Sequence, residues 1–238
     1  MARWLLIFVW LIGYGLSVSL GHAATLDKVD ARFQLYYNNK AAQGENLLRI
    51  QQQAGQYEVE FNFEHWMSTI RQRARFTQPP HQCAVQPEYY QSQTKRPLQS
   101  TKQEEIRFSW STHEAALTRD KHTERFSLKE KLYDPLSFFF EARCELMDGA
   151  TSFSFLILHK GEPKVHRYRV VDEVTIDTGL GPLKTLVIER ERSSTKRQTR
   201  LYVAPELDYL LVQLEHQEGN LVRIKAVVEQ LDYTTTMD

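Results

Sequence analysis

Residues 131–149 read KLYDPLSFFFEARCELMDG, and this stretch decides the fold because it alone carries the signals of a helix. Asp134 can accept a hydrogen bond from an orphan N–H, and Pro135 suits a first turn, where a missing donor costs nothing. Leu136, Phe139, Phe140, Cys144 and Met147 fall at spacings of three and four, a broad apolar stripe, with Glu141, Arg143 and Glu145 largely outside it. Gly149 can take the left-handed conformation that ends a helix. The sequence predicts one core helix over about 135–147.

Outward from this helix the chain alternates with period two. Upstream, Phe33, Leu35 and Tyr37, then Leu48 and Ile50, then Tyr57, Val59, Phe61 and Phe63 read as strands, after a frayed start over 24–30. Trp66 to Phe76 fits a strand with Trp66, Ile70, Ala74 and Phe76 on one face, or a helix with a weaker stripe. The strand is preferred because its alternation is sustained. Pro87 to Tyr90 starts a short strand, Ser92 to Gln103 reads as a solvated loop, and Ile106, Phe108 and Trp110 alternate again. Ala115–Leu117 and Phe126–Leu128 form a hairpin pattern. Downstream, 151–159 is almost continuously apolar, and short runs follow between turns at 160–163, 179–182, 193–195 and 204–208. The last two strands cover 209–214 and 221–231. About a dozen strands and one helix predict a mainly β, antiparallel fold. It is a curled sheet or a partly open barrel or sandwich, forming a single domain over 24–238.

The N-terminus sets the expected compartment. Met1-Ala2-Arg3 is a positive start, 4–20 is apolar apart from Ser17 and Ser19, and Gly21-His22-Ala23 offers small residues for cleavage. Residues 1–23 read as a signal peptide, with an uncleaved anchor as the rival, since the run approaches the roughly 20 residues that span a bilayer. No other run is long enough to cross, so a soluble periplasmic protein is expected. The full chain has 30 Lys+Arg and 30 Asp+Glu, and the leader holds only Arg3 among them. The remainder lacks the basic excess of a nucleic-acid binder. Export would permit a bridge between Cys83 and Cys144, worth about 4 kcal/mol on the loop-entropy model. Two separate thiols, with Cys144 one more apolar contact, are the alternative.

Several phrases, in order, resemble the bacterial exported proteins grouped as domain of unknown function 3108. They are Phe33-Gln34-Leu35-Tyr36-Tyr37, Tyr57-Glu58-Val59-Glu60-Phe61, Pro87-Glu88-Tyr89, Ile106-Arg107-Phe108-Ser109-Trp110 and Tyr133-Asp134-Pro135-Leu136-Ser137. Two later phrases run from Thr178 to Thr185 and from Leu201 to Leu210. The chain departs from the family at Tyr202, where Trp is frequent, and near Leu211, where Pro is frequent. Cys83 and Cys144 lie outside its pattern. The resemblance implies a periplasmic protein with a mostly antiparallel β fold. It implies no established activity, so no catalytic residue is carried over.

No GxSxG elbow, HExxH pair, phosphate-cradling loop or CxxC is present. No catalytic residue, metal or cofactor is assigned. His159 and His166 flank a turn and could face each other as two metal ligands, although exposed turn-flanking residues explain them without a metal. Arg71, Arg73 and Arg75, if on one strand face, form a row of cations that could hold an anion; a solvated face is the plainer reading. Tyr57, Phe61, Trp66, Phe108, Trp110, Phe139 and Phe140 are the candidate lining of an apolar cavity, against a well-filled core as the alternative. The preferred function is a non-enzymatic periplasmic protein that binds an apolar or amphipathic, lipid-like envelope molecule. A structural or assembly factor for another envelope protein is the second reading, and an envelope hydrolase the third.

Overall fold

The computed structural model describes residues 25–79, 82, 84–194, 196–219 and 221–236. Its first half supplies β1 (Thr25–Tyr37), β2 (Lys40–Ala42), β3 (Leu47–Gln53), β4 (Gln56–His65) and β5 (Ser68–Thr77). Next come β6 (Gln86–Lys95), β7 (Lys102–Ser109), β8 (Glu114–Arg119), β9 (His122–Ser127) and β10 (Leu132–Tyr133). After the helix α1 (Phe138–Met147) follow β11 (Ser152–His159), β12 (Glu162–Thr178), β13 (Gly181–Arg190), β14 (Arg197–Ala204), β15 (Leu210–Glu218) and β16 (Val222–Thr236).

All these strands belong to one sheet. Its order is β10-β11-β12-β13-β14-β15-β16-β1-β3-β4-β5-β6-β7-β8-β9, with β2 beside β1. Among the described residues only β10 and β11 pair in parallel. The ladder does not close, because β9 and β10 are its two ends. Those ends nevertheless curl together: Leu132 of β10 and Leu158 of β11 are buried in one cluster with Ala74, Tyr90, Ile106 and Leu117 of β5 to β8. Side chains complete what the backbone leaves open. Glu104 of β7 meets His159 Nδ1 at 2.9 Å and accepts the Lys160 N–H at 2.9 Å. The result is a mainly β, partly open barrel-like sheet with one helix inside.

Several boundaries differ from the sequence reading. β1 begins at Thr25, in place of a frayed start, because Leu26 and Val29 are fully buried and the strand pairs with β16 at the far end of the chain. Ser92 to Lys95 are strand rather than solvated loop: Ser92 is buried on the concave face, a polar residue at an inward position. Val165–Val171 and Val174–Ile176 form one 17-residue strand that continues across a bulge at Val171. At the β12–β13 tip the Gly179 N–H donates to Val228 O at 2.9 Å. A Cβ at Gly179 would overlap the backbone of Glu229, so only glycine allows that approach.

The helix starts three residues later than expected. Asp134 Oδ1 accepts the N–H groups of Leu136 and Ser137, at 2.8 and 3.0 Å, and so holds a turn that leads into α1. Gly149, at φ 82°, ends the helix, and the Ala150 N–H reaches back to Glu145 O at 2.8 Å. The expected polar flank is buried instead: Glu141 and Arg143 are 8% and 5% exposed. Glu141 pairs with Lys131 Nζ at 2.7 Å and accepts the Val85 N–H at 3.0 Å, while Arg143 Nε donates to Asp208 O at 2.7 Å. A charge buried without such partners would be costly. Here these charges anchor the first turn and middle of the helix to the wall.

Candidate functional site

On the concave side the strand alternation aligns residues from strand to strand. One row runs Val29, Ile50, Val59, Ala74, Tyr90, Ile106 and Leu117, each directly opposite the next. It is apolar throughout apart from the Tyr90 hydroxyl. The neighbouring row starts the same way with Ala31, Leu48 and Phe61, then becomes Gln72, Ser92, Glu104 and Arg119. Along this second row the concave face therefore changes character between β4 and β5, while the first row stays apolar.

On the apolar side of that boundary lies a cavity of about 220 Å³ beneath the N-terminal half of the helix. Pro135, Leu136, Phe138, Phe139 and Phe140 form one wall. Phe33, Leu48, Ile50, Val59, Phe61 and Phe63 form the second, and Leu201, Leu211, Leu214, Ile224 and Ala226 the third. The third wall depends on a bulge. Val212 is the extra residue in the β14–β15 ladder, and it lets both Leu211 and Leu214 face the cavity although they are three apart. Asn46 and Gln72 are the polar lining residues. Asn46 is committed to the loop, accepting the Glu64 N–H at 3.0 Å and donating to Gly44 O at 3.2 Å. Gln72 donates to the Tyr90 hydroxyl at 2.7 Å.

On the polar side a second cavity of about 620 Å³ lies against β5, β6 and β7 and reaches the seam. Gln72 lines both cavities. Ile70 and Gln72 face this second space directly opposite Phe63 and Phe61, which face the first. Ser92 and Glu104 form its buried wall, and Arg96, Lys102, Arg119 and Lys160 stand at its exposed rim.

The predicted aromatic set is divided by the structure. Phe61, Phe139 and Phe140 line the apolar cavity. Tyr57 lies behind it, its ring 5.0 Å from Phe76 and 5.4 Å from Phe140, and burial raises its phenol pKa. Trp66 is not brought to the cavity; it is 74% exposed in the β4–β5 turn. Phe108 and Trp110 stack on each other at 6.5 Å, away from the cavity, and the Trp110 indole donates to Pro87 O at 2.7 Å. Phe138 was missed by the sequence reading. It lines the cavity and stacks 5.6 Å from Tyr168. Its position one residue before Phe139 in the run Phe138-Phe139-Phe140 was the available signal.

The three arginines do lie on one outward face of β5. Their charge is largely engaged: Arg73 pairs with Glu58 at 3.3 Å and with Glu60, and Arg75 sits 5.3 Å over the Tyr89 ring. His159 and His166 do not face each other. The register sets His159 opposite Glu162 and His166 opposite Phe155. His159 is taken by Glu104, while burial, with Arg190 and Arg192 nearby, holds the His166 imidazole down at about 4. Among the described residues no cluster of three or more His, Cys, Asp or Glu side chains is placed to hold a metal ion. The leader, 1–23, and Cys83 lie outside the described residues; Cys144 is buried, and its Sγ accepts from Gln78 Nε2 at 3.4 Å. No described helix is long and apolar enough to cross a membrane.

The fold has a known counterpart. A crystal structure of a beta-barrel-like protein of domain of unknown function DUF1849 from Brucella abortus superposes with a TM-score of 0.59 at 8% identity. The match covers 89% of this chain and 100% of that one, and at this identity it speaks for the fold alone. No curated protein matches the sequence. The family model described as "Protein of unknown function (DUF3108)" matches residues 32–220, most of the chain, and the protein belongs to that family.

Proposed function

We propose that this protein binds an apolar or amphipathic envelope molecule, lipid-like in character, inside its curled sheet, and that it does so in the periplasm after losing residues 1–23. The observation that carries the reading is the cavity of about 220 Å³ walled by phenylalanine, leucine and isoleucine beneath the helix. A cavity of about 150 Å³ lined by such residues stays dry and admits benzene. Desolvating an apolar chain against these walls would supply the binding energy. In an oxidising compartment Cys83 and Cys144 would form a bridge, detected as a mass gain of two protons on reduction.

The test is titration with a fluorescent fatty acid on wild type and on Ala226→Trp, which places an indole in the cavity. Wild type should take up the probe. The variant should lose uptake while its stability falls by less than the roughly 1–3 kcal/mol of an overpacked core. No uptake by wild type, or equal uptake by both, contradicts the reading.

A second reading, an assembly factor that takes an envelope protein along a sheet edge, is favoured by β9, which among the described residues has no strand on its outer side. His122, Glu124 and Arg125 on that edge are the charges that usually blunt promiscuous pairing. Crosslinking in the intact envelope tests it, and a chain with no crosslinked partner would count against it.

A further inference from the structure

The second cavity gives the ligand a chemical class. We infer that the two spaces are one amphipathic site: the apolar cavity takes a single hydrocarbon chain, and the space across Gln72 takes its anionic head group. This rests on the binding reading above and goes beyond it in naming the head.

Three observations carry the inference. First, the change from apolar to polar occurs within one row of directly opposed residues, Leu48, Phe61, Gln72, Ser92 and Glu104. Ser92 and Glu104 are buried at positions where the neighbouring row keeps apolar side chains, and only Glu104 has the seam as a structural reason. Second, Gln72 lines both spaces, so a chain lying against Phe61 and Phe63 can place its head against Gln72 and Ile70 without leaving the sheet. Third, the charge around the head space is unbalanced. Arg96, Lys102, Arg119 and Lys160 face two carboxylates, Glu104 and Asp120. Glu104 is already committed to His159 and to the Lys160 N–H. Among the described residues none of the four cations forms an ion pair. Cations left unpaired around a concave polar space favour a carboxylate or phosphate by charge-assisted hydrogen bonds. The hydrocarbon side, about 220 Å³, suits one chain rather than two.

The test uses ligands that share a dodecyl chain and differ only in the head: dodecyl phosphate, dodecanoate, dodecanol and dodecyltrimethylammonium. Each is titrated below its micelle concentration against the full chain. At least one of the two anions should bind roughly tenfold or more tighter than the alcohol, which is about 1.4 kcal/mol. The ammonium should bind weakest, and whichever anion leads names the head. The double variant Lys102→Gln, Arg119→Gln changes two exposed rim residues. It should remove the anion preference and leave dodecanol binding as in wild type. If all four ligands bind alike, or if the double variant keeps the preference, the inference is overturned while the apolar site stands. If none binds, the binding reading falls and this inference falls with it.

Discussion

The concave face has two halves built on the same strand geometry. From β1 to β4 its inward positions are leucine, isoleucine, valine and phenylalanine; along one row from β5 to β8 they are glutamine, serine, glutamate and arginine. The first half is roofed by the helix. The second is closed by a side-chain seam, Glu104 to His159, where the ladder has no hydrogen bonds to offer. Burial alone therefore does not mark the proposed binding surface. Phe140 and Phe139 are adjacent, yet Phe140 is 1% exposed between Tyr57 and Phe76, and Phe139 keeps part of its ring on the cavity. The helix therefore does two jobs at once: Phe140 fills the core at the inner edge of the cavity, and Phe139 before it roofs the pocket.

That contrast can be broken most forcefully at those two rings. Phe140→Ala should destabilise the fold by about 3–5 kcal/mol in urea unfolding, the usual loss for a buried phenylalanine. Phe139→Ala should cost about 1 kcal/mol and act mainly on ligand uptake. Equal losses would mean that the helix has a single face and no roof.

Asp134 sharpens the same boundary from the polar side. It is fully buried, Oδ1 holds the turn into the helix, Oδ2 has no partner, and burial raises its carboxyl pKa. A carboxyl raised in the fold contributes stability at low pH that is lost as pH rises through its folded value. Asp134→Asn keeps the acceptor and sheds the charge, so it should match or exceed wild type at neutral pH. Asp134→Ala should lose about 1 kcal/mol, as a capping acceptor does. Thermal melts of both variants across pH check this.

His166 is held neutral on the apolar side, down to about 4, so its contribution is fully present above its unfolded value near 6.5. That contribution is lost as pH falls from there through about 4. His166→Gln should flatten this part of the stability–pH curve; an unchanged slope would assign it elsewhere. The smallest effect belongs to the convex face. Arg73→Ala, which removes an exposed pair with Glu58 and Glu60, should change stability by no more than about 1 kcal/mol and leave ligand uptake as it was.

Much of the sheet was legible because alternation survives wherever one face is apolar, as along Tyr57, Val59, Phe61 and Phe63. It failed where the inner face turns polar. Ser92 to Lys95 read as loop for the same reason that they line the second cavity. The clue was present: Ile70, Gln72 and Ala74, and again Tyr90 and Ser92, alternate with a polar residue at an inward position. The start of β1 was not legible because its partner is β16, about two hundred residues away in sequence. Nor was the burial of Glu141 and Arg143, since besides Lys131 their partners, Val85 N–H and Asp208 O, are backbone groups brought in by the fold. Phe61, Phe139 and Phe140 could be picked as lining from the aromatic load alone. Trp66, Phe108 and Trp110 share that residue type but not the cavity, and only the sheet's curvature tells them apart.

The space beneath Phe139 is the proposed binding site. Native mass spectrometry of the chain purified from its native host tests it. The account predicts a protein ion carrying an extra mass that is released on unfolding and absent from Ala226→Trp. A clean apo mass in wild type, with no uptake of added fatty-acid probe, would contradict it.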